Sequence, residues 1–133
     1  MADVAGRLRE FFGANAPDVV AAYLFGSEAR GEATDQSDVD VAVLFAVPPS
    51  STLTGPVLSL QADLEQVLGR RVDAIDLHRA PADLVHRVLR DGQLVCDRNR
   101  SVRIRFEVQR RNEFFDMELF RRRYRRQSEP VPS

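Results

Sequence analysis

Residues 24–45 read LFGSEARGEATDQSDVDVAVLF, and this stretch decides both the fold and the chemistry of the chain. It spans the end of one apolar run, residues 19–25, and a second run, residues 38–46, which alternates and then becomes fully apolar. Both runs predict strands, the second a buried central one. Asp38 and Asp40 lie two residues apart there, so their carboxylates are predicted to share one face. Two such close negative charges repel, so each raises the pKa of the other. Mg²⁺ bound between them would remove this repulsion.

Gly26 and Ser27 follow the first strand directly. A glycine at this point lets the backbone approach an anion, and the serine amide and hydroxyl can donate to a phosphate. Because the two strands are expected to be neighbours, that phosphate would face a metal held by the aspartates. Arg30 is near enough in sequence to add a charge-assisted contact. The alternatives are a plain turn with Ser27 as a helix N-cap and a solvated surface arginine at position 30.

A third carboxylate is expected from a neighbouring strand, to complete a two-metal site for displacement at phosphorus. The predicted strand at residues 71–77 offers Asp73 and Asp76, which point to opposite faces. Asp73 shares its face with Ile75, and Asp76 shares the other with Ala74. Periodicity alone does not choose between the two aspartates.

Around this segment, helical and strand patterns alternate along the chain. Helices are predicted at residues 3–14, 57–68, 81–90 and 100–126, further strands at 71–77 and 93–96, and a loop or single helical turn at 27–37. The fold class is therefore α/β, with a small mixed sheet of about four strands flanked by helices. The expected organisation is a catalytic core over residues 1–97, a long C-terminal helix of the same domain over 98–126, and a flexible tail over 127–133. Strand order does not follow from the sequence.

The composition excludes several classes of protein. With 133 residues, 44% of them apolar and 29% charged, the chain should form one globular domain. The net charge of −1 combines −7 over residues 1–97 with +6 over residues 98–133, so a uniformly basic nucleic-acid binder is excluded. All 19 basic residues are arginine, which excludes a catalytic lysine. The lone cysteine and the absence of an apolar leader or membrane-length run predict a cytoplasmic protein.

The long C-terminal helix carries two apolar stripes. At about 100° per residue, one stripe consists of Ile104, Val108, Phe115 and Leu119, and the nearly opposite one of Val102, Phe106, Met117, Phe120 and Tyr124. A helix packed on its own domain needs one stripe, so the second set is predicted to bind a partner. A kinked helix that uses both faces within one monomer is the alternative. Acidic residues among the arginines disfavour a nucleic-acid-binding arm.

The spacing of the central motif resembles a known signature. Gly26-Ser27, ten residues and Asp38-Val39-Asp40 are similar to the Gly-Ser-x10-Asp-x-Asp motif of DNA polymerase β-like nucleotidyltransferases. The fuller wording GSEARGEATDQSDVDVAV and the tail RIRFEVQRRNEFFDMELFRRRY resemble the minimal nucleotidyltransferase (MNT) antitoxins. In that family the third carboxylate follows an apolar residue at the start of the next strand, which selects Asp73.

The resemblance implies an Mg²⁺-dependent protein adenylyltransferase that moves AMP from ATP to a tyrosine of a HEPN-type RNase toxin and so silences it. It implies that two Mg²⁺ ions are held by Asp38, Asp40 and Asp73, and that the phosphates are held by Gly26, Ser27 and Arg30. The expected partner is the cognate toxin, in a hetero-oligomer, with no direct nucleic-acid or membrane partner. Two alternatives stay open: a nucleotidyltransferase that modifies a small molecule or an RNA end, and an antitoxin that acts by binding alone.

Overall fold

The predicted alternation of helices and strands is confirmed in a computed structural model, which describes residues 3–34, 36–48 and 55–128. In chain order the elements are α1 (Val4–Ala14), β1 (Val19–Phe25), α2 (Ser27–Arg30), β2 (Val39–Phe45), α3 (Gly55–Leu68), β3 (Val72–Asp76), α4 (Ala82–Asp91), β4 (Gln93–Asp97) and α5 (Arg100–Ser128). Helix α5 continues two residues beyond the predicted end at 126. The rest of the predicted tail, residues 129–133, lies outside the described residues.

The four strands form one mixed sheet in the order β3-β2-β1-β4. Strand β1 pairs antiparallel with both β2 and β4, while β2 pairs parallel with β3. The end of β1 therefore meets the starts of β2 and β3 at one edge of the sheet. In register, Phe25 lies opposite Asp40, and Asp40 lies opposite Asp73. This topology gathers the residues of the central motif at that edge.

Helices cover both faces of the sheet. Helices α1 and α3 pack on one face, where Leu8, Phe12 and Leu64 are almost fully buried. Helices α4 and α5 pack on the other, with Val88 and Phe106 in its core. Burial on both sides explains why the second half of β2 is continuously apolar instead of alternating.

Short polar contacts fix the ends of the elements. Asp3 caps α1 by accepting a hydrogen bond from the amide of Gly6 at 2.7 Å, as its position before the helix predicts. Gly69 follows α3 with φ of +65°, the left-handed conformation that ends many helices. No helix in the described part of the chain is long and apolar enough to cross a membrane.

Arg98, between β4 and α5, was not predicted to matter for the fold. Its guanidinium donates to the backbone carbonyls of Phe12, Asn15, Ala16 and Val19. These carbonyls belong to the end of α1, the loop that follows it and the start of β1, where helical carbonyls lack partners within the helix. One side chain thus ties the start of the chain to the base of α5.

Candidate active site

A cleft of about 360 Å³ opens at the edge of the sheet where β1 ends and β2 and β3 begin. Its floor is formed by strand residues Phe25, Asp40, Asp73 and Ile75. One wall consists of Gly26, Ser27 and Arg30 on α2 and the turn before it, and the other of Leu84, Arg87 and Asp91 on α4. Five of the six predicted catalytic and phosphate-binding residues therefore line one cleft.

Asp40 and Asp73 form the acidic pair on the floor of the cleft. They are register partners in parallel strands, so their side chains leave the same face next to each other. Burial raises the pKa of Asp40 above its ordinary value, and the nearby charges of Asp73 and Asp38 raise it further, while Arg30 lowers it. The protein thus holds like charges together at a cost, which a bound cation would offset.

Asp38 does not line the cleft. Strand β2 begins one residue later than predicted, at Val39, so Asp38 lies just before the strand and is exposed. Its charge still acts on Asp40. Within the described ranges, no three His, Cys, Asp or Glu side chains converge closely enough to hold a metal ion. The ligand set Asp38, Asp40 and Asp73 therefore stays a prediction, and the observed core of the site is a pair.

Gly26 has a role that the sequence did not indicate. Its φ is +72°, and a Cβ atom on it would collide with the carboxylate of Asp40, with the Cγ of that residue only 3.1 Å away. A glycine is thus required here by the aspartate as well as by any anion that approaches the backbone. Residues Ser27–Arg30 form the single helical turn α2, one of the two predicted alternatives for this segment.

Arg30 lines the cleft but already has a partner. Its Nε lies 3.0 Å from the carboxylate of Glu32, and both side chains are more than half exposed. The guanidinium can therefore exchange this contact for a phosphate at little cost, since an exposed ion pair contributes little. Its placement is compatible with the predicted phosphate contact and does not test it.

Asp76, the other aspartate of β3, lies on the opposite face from Asp40 and Asp73. It is buried, its Oδ1 accepts a hydrogen bond from the amide of His78 at 2.9 Å, and its Oδ2 lies 3.8 Å from Nε of Arg79. Of the two aspartates that periodicity left open, only Asp73 faces Asp40.

Arg70 is a residue that the sequence analysis missed. Its guanidinium pairs with Glu28 on α2 and donates to the backbone carbonyls of Thr34 at 3.0 Å and Ser37 at 2.8 Å. These contacts hold the loop that leads to Asp38 against the turn that carries Ser27. No spacing rule in the sequence pointed to them, because Glu28 and Arg70 are far apart along the chain.

The α4 wall was missed as well. Arg87 adds a second cation to the cleft, and it has no ion-pair partner among the described residues. Asp91, on the next turn, is held by Arg90, which lies 2.8 Å away and lowers the pKa of Asp91 by hydrogen bonding. Helical periodicity predicted α4, but the sheet order was needed to show which strand end it covers.

The predicted assignment of the α5 stripes is wrong at two positions. Phe106 is buried and Val102 packs against the same core, so these two residues bind their own domain and not a partner. Further along, Phe114 stacks on His86 of α4, with the ring centroids 3.8 Å apart. Val102, Phe106 and Phe114 lie four and eight residues apart, so a line along one side of the helix packs inward.

The remaining apolar residues of α5 are exposed. We call them the outer α5 surface: Ile104, Val108, Phe115, Met117, Leu119, Phe120 and Tyr124. It contains the three other residues predicted to bind a partner, which are 38% (Met117), 70% (Phe120) and 65% (Tyr124) exposed. It also contains the whole stripe that the sequence had assigned to the domain's own side. Both stripes of α5 therefore keep exposed apolar residues, and a partner contact at Met117, Phe120 and Tyr124 stays a prediction.

Comparison with known proteins identifies the family. The polymerase β nucleotidyltransferase family model matches residues 7–101, a range that includes all the residues that line the cleft. The chain belongs to this family. The chain is also 38% identical over 84 residues to the protein adenylyltransferase MntA of Thermococcus cleftensis, a match that covers 63% of this chain and 77% of the relative.

Solved structures of toxin–antitoxin proteins share the fold of this nucleotidyltransferase. A toxin–antitoxin with AMP-PNP superposes with a TM-score of 0.74 at 24% identity, over 92% of this chain and 96% of the other. The toxin–antitoxin MntA–HepT gives 0.68 at 22% identity, over 93% and 95%. The match extends over most of the chain. These findings confirm the resemblance to minimal nucleotidyltransferases and the fold class.

Proposed function

We propose that this nucleotidyltransferase is an antitoxin enzyme that transfers AMP from ATP to a tyrosine hydroxyl of a cognate HEPN-type RNase toxin. The observation that carries the proposal is the convergence of Asp40 and Asp73 with Gly26 and Ser27 in one cleft. The MntA relative is named a protein adenylyltransferase, and the structures that share the fold are toxin–antitoxin proteins. Both similarities support a protein acceptor over a small molecule.

The acidic pair fits a divalent cation. Asp40 and Asp73 are oxygen ligands whose mutual repulsion Arg30 offsets only in part, and hard oxygen ligands suit Mg²⁺. Two Mg²⁺ ions, held by these residues together with Asp38, would supply positive charge to the triphosphate and to the incoming oxygen. Asp38 lies just before β2, and Arg70 donates to the carbonyl of the preceding Ser37 and so helps to set its position.

The residues of the cleft have distinct roles in the proposed transfer. Gly26 and Ser27 bind the β- and γ-phosphates through backbone and hydroxyl donors, and Arg30 and Arg87 add positive charge from the two walls. The acceptor oxygen bonds to the α-phosphorus, the bond from that phosphorus to the bridging oxygen breaks, and pyrophosphate leaves with the electron pair. Asp73 lies on the acceptor side and accepts the hydroxyl proton.

The outer α5 surface is the proposed contact with the toxin. The described residues form one catalytic domain, and we assign recognition of the acceptor to a surface of this domain that binds the partner. The outer α5 surface is apolar and interspersed with arginines, which is a common composition for a protein interface. The proposal predicts a hetero-oligomer of the two proteins.

Incubation with labelled ATP, Mg²⁺ and a candidate HEPN-type toxin tests the proposal. Label on the toxin with wild type, and none with Asp38→Ala/Asp40→Ala, is the expected result.

The exposed α5 surface also favours a second candidate, an antitoxin that neutralises by binding alone. Neutralisation by the double variant without any label would support that second function. A chain truncated after Asp97 that still co-purifies with the toxin would contradict the role of α5.

A further inference from the structure

An apolar slot lies next to the active-site cleft, beside β3. It has a volume of about 320 Å³, and its apolar lining comes from three places: Val57 and Leu58 on α3, Ile75 on β3, and Ala80, Pro81 and Leu84 in the turn and first part of α4. Ile75 and Leu84 also line the cleft, so the slot adjoins the cleft.

Two polar side chains, Asp76 and Arg79, contribute to the lining of the slot. Asp76 is 7% exposed, and its Oδ1 accepts a hydrogen bond from the amide of His78. Its buried Oδ2 has no hydrogen-bond partner among the described residues and lies 3.8 Å from Nε of Arg79. The remaining lining is aliphatic. This volume is near the lower end of the range for ligand pockets, about 300–1,000 Å³, and suits a single apolar ring.

The order of the strands indicates whether the slot lies on the side of the acceptor or on the side of the leaving pyrophosphate. The phosphate-binding turn of Gly26 and Ser27 follows β1, and Asp40 lies on the neighbouring β2. Asp73 is on β3, the edge strand on the far side. In phosphoryl transfer the attacking and leaving oxygens lie roughly in line across the phosphorus. With pyrophosphate on the β1 side, the acceptor approaches from the β3 side, where the slot lies.

We propose that this slot binds the aromatic ring of the acceptor residue and delivers its phenol hydroxyl to the side of the α-phosphate that Asp73 flanks. The inference rests on the proposed function and adds the site that selects the acceptor. Serine and threonine carry a hydroxyl without a ring, so they would leave the aliphatic lining in contact with water. A tyrosine ring fills it and gains the free energy of apolar burial.

Two variants of the slot test the proposal. Leu58→Glu places a charge at the mouth, where the leucine is 57% exposed, and Ala80→Phe narrows the slot from within. Val67→Glu is the matched control, since Val67 lies on the same helix, is 47% exposed and does not line the slot. For each variant, AMP transfer is measured at saturating ATP over a range of toxin concentrations, and the affinity for a non-hydrolysable ATP analogue is measured by calorimetry. Thermal unfolding identifies any variant that fails to fold.

The expected result is a loss of about tenfold or more in kcat/KM for the toxin in both slot variants, with analogue affinity and the Val67→Glu control within twofold of wild type. A parallel loss of analogue affinity would assign the slot to the nucleobase and overturn the proposal. Unchanged kcat/KM in both slot variants would also overturn it.

Mass spectrometry of the toxin modified by wild type gives a readout that does not depend on the variants. AMP on a tyrosine is expected. AMP on serine or threonine would contradict the slot and the tyrosine acceptor, while AMP transfer from ATP to the toxin would still stand. If wild type transfers no AMP to the toxin, the proposed function itself fails and the slot proposal fails with it.

Discussion

Two polar clusters lie on the same face of the sheet, one beside the middle of β1 and the other beside its end. Their charges are arranged in opposite ways. In the middle of the strand the hydroxyl of Tyr23 donates to Glu107 at 2.6 Å. Arg103 lies 3.1 Å from Glu107 and 3.1 Å from Asp97, so each charge in this cluster has an opposite charge beside it. At the end of the strand, Asp40 and Asp73 adjoin each other, and neither carboxylate has an ion-pair partner within the described residues.

The difference separates a structural cluster from a functional one. Burial and the neighbouring Glu107 raise the pKa of Tyr23, which keeps its hydroxyl neutral and able to donate. The same two causes, burial and acidic neighbours, raise the pKa of Asp40, but there they disfavour the charged form that a metal ligand needs. The cluster around Tyr23, whose charges are paired within the chain, stabilises the fold. The pair Asp40 and Asp73, which has no ion-pair partner among the described residues, is suited to bind a ligand of opposite charge.

Replacement of Asp40 is expected to have the largest effect. Asp40→Asn keeps the shape of the side chain and removes its charge, so AMP transfer should fall by at least about 100-fold because a charged oxygen ligand proposed for Mg²⁺ is lost. The free energy of unfolding at pH 7 should rise or hold, since repulsion from Asp73 disappears. Enzyme assays and urea titration measure the two quantities. A variant that is both inactive and destabilised would remove the contrast between the clusters.

The pH dependence of this variant sharpens the same prediction. The pKa of Asp40 is raised above its ordinary value of 3.8, so the folded protein binds this proton more tightly than the unfolded chain does. The charge of Asp40 therefore costs no stability below 3.8, and its cost appears as pH rises through the raised pKa. In chelator-containing buffer, Asp40→Asn should match wild type at the acidic end of a urea-titration series and exceed it towards pH 7. A pH-independent difference would contradict this origin.

Removal of Arg70 is expected to have the next largest effect. Arg70→Ala releases the loop before Asp38 from Glu28, and loss of such a positioning residue costs about 10–100-fold in activity. The Mg²⁺ concentration for half-maximal activity should rise, a change that a purely structural loss would not produce. Arg71→Ala, an exposed neighbour, is the control. An equal requirement for Mg²⁺ in Arg70→Ala and wild type would show that Asp38 needs no such support.

Much of the fold could be predicted because the apolar patterns and the residues at the ends of the elements indicated the same helices and strands. Period-two and period-3.6 patterns, together with Asp3 before α1, placed the four strands and the four longer helices within a few residues of their observed bounds. The strand order could not be predicted, because pairing between β1, β2 and β4 depends on contacts between distant residues. For the same reason Arg98, which contacts four carbonyls from far along the chain, went unnoticed.

The residues of the candidate site also fall into those that local sequence could predict and those that depend on contacts between distant residues. Gly26, Ser27 and Asp40 belong to one short motif, and their spacing was enough to predict that they meet. Arg70 and Arg87 come from other elements, and only the folded sheet brings them to the motif. The stripes of α5 were misassigned because both are apolar, and periodicity gives the faces of a helix without saying which face the domain covers.

Tyr23→Phe tests the satisfied cluster. The variant deletes one hydrogen bond to a charged, mostly buried carboxylate, which should lower the free energy of unfolding by about 1–2 kcal/mol. Activity should stay within about twofold, since Tyr23 does not line the cleft. Tyr124→Phe, at a tyrosine that is 65% exposed, is the matched control and should leave stability unchanged. Loss of activity without loss of stability in Tyr23→Phe would place this cluster in the catalytic machinery.

Arg87→Ala should have the smallest effect, and it tests whether the cleft recruits cations beyond the sequence motif. Arg87 is exposed and has no ion-pair partner in the described part of the chain, so its removal should leave stability unchanged. A partly solvated contact with phosphate contributes about 1 kcal/mol, so KM for ATP should rise about fivefold with kcat little changed. Arg7→Ala, an exposed arginine of α1 on the opposite face of the sheet, controls for the loss of overall charge. If both variants raise KM for ATP equally, the electrostatic field of the whole protein attracts ATP, and Arg87 has no specific contact with it. If only Arg87→Ala does, the α4 wall belongs to the nucleotide site.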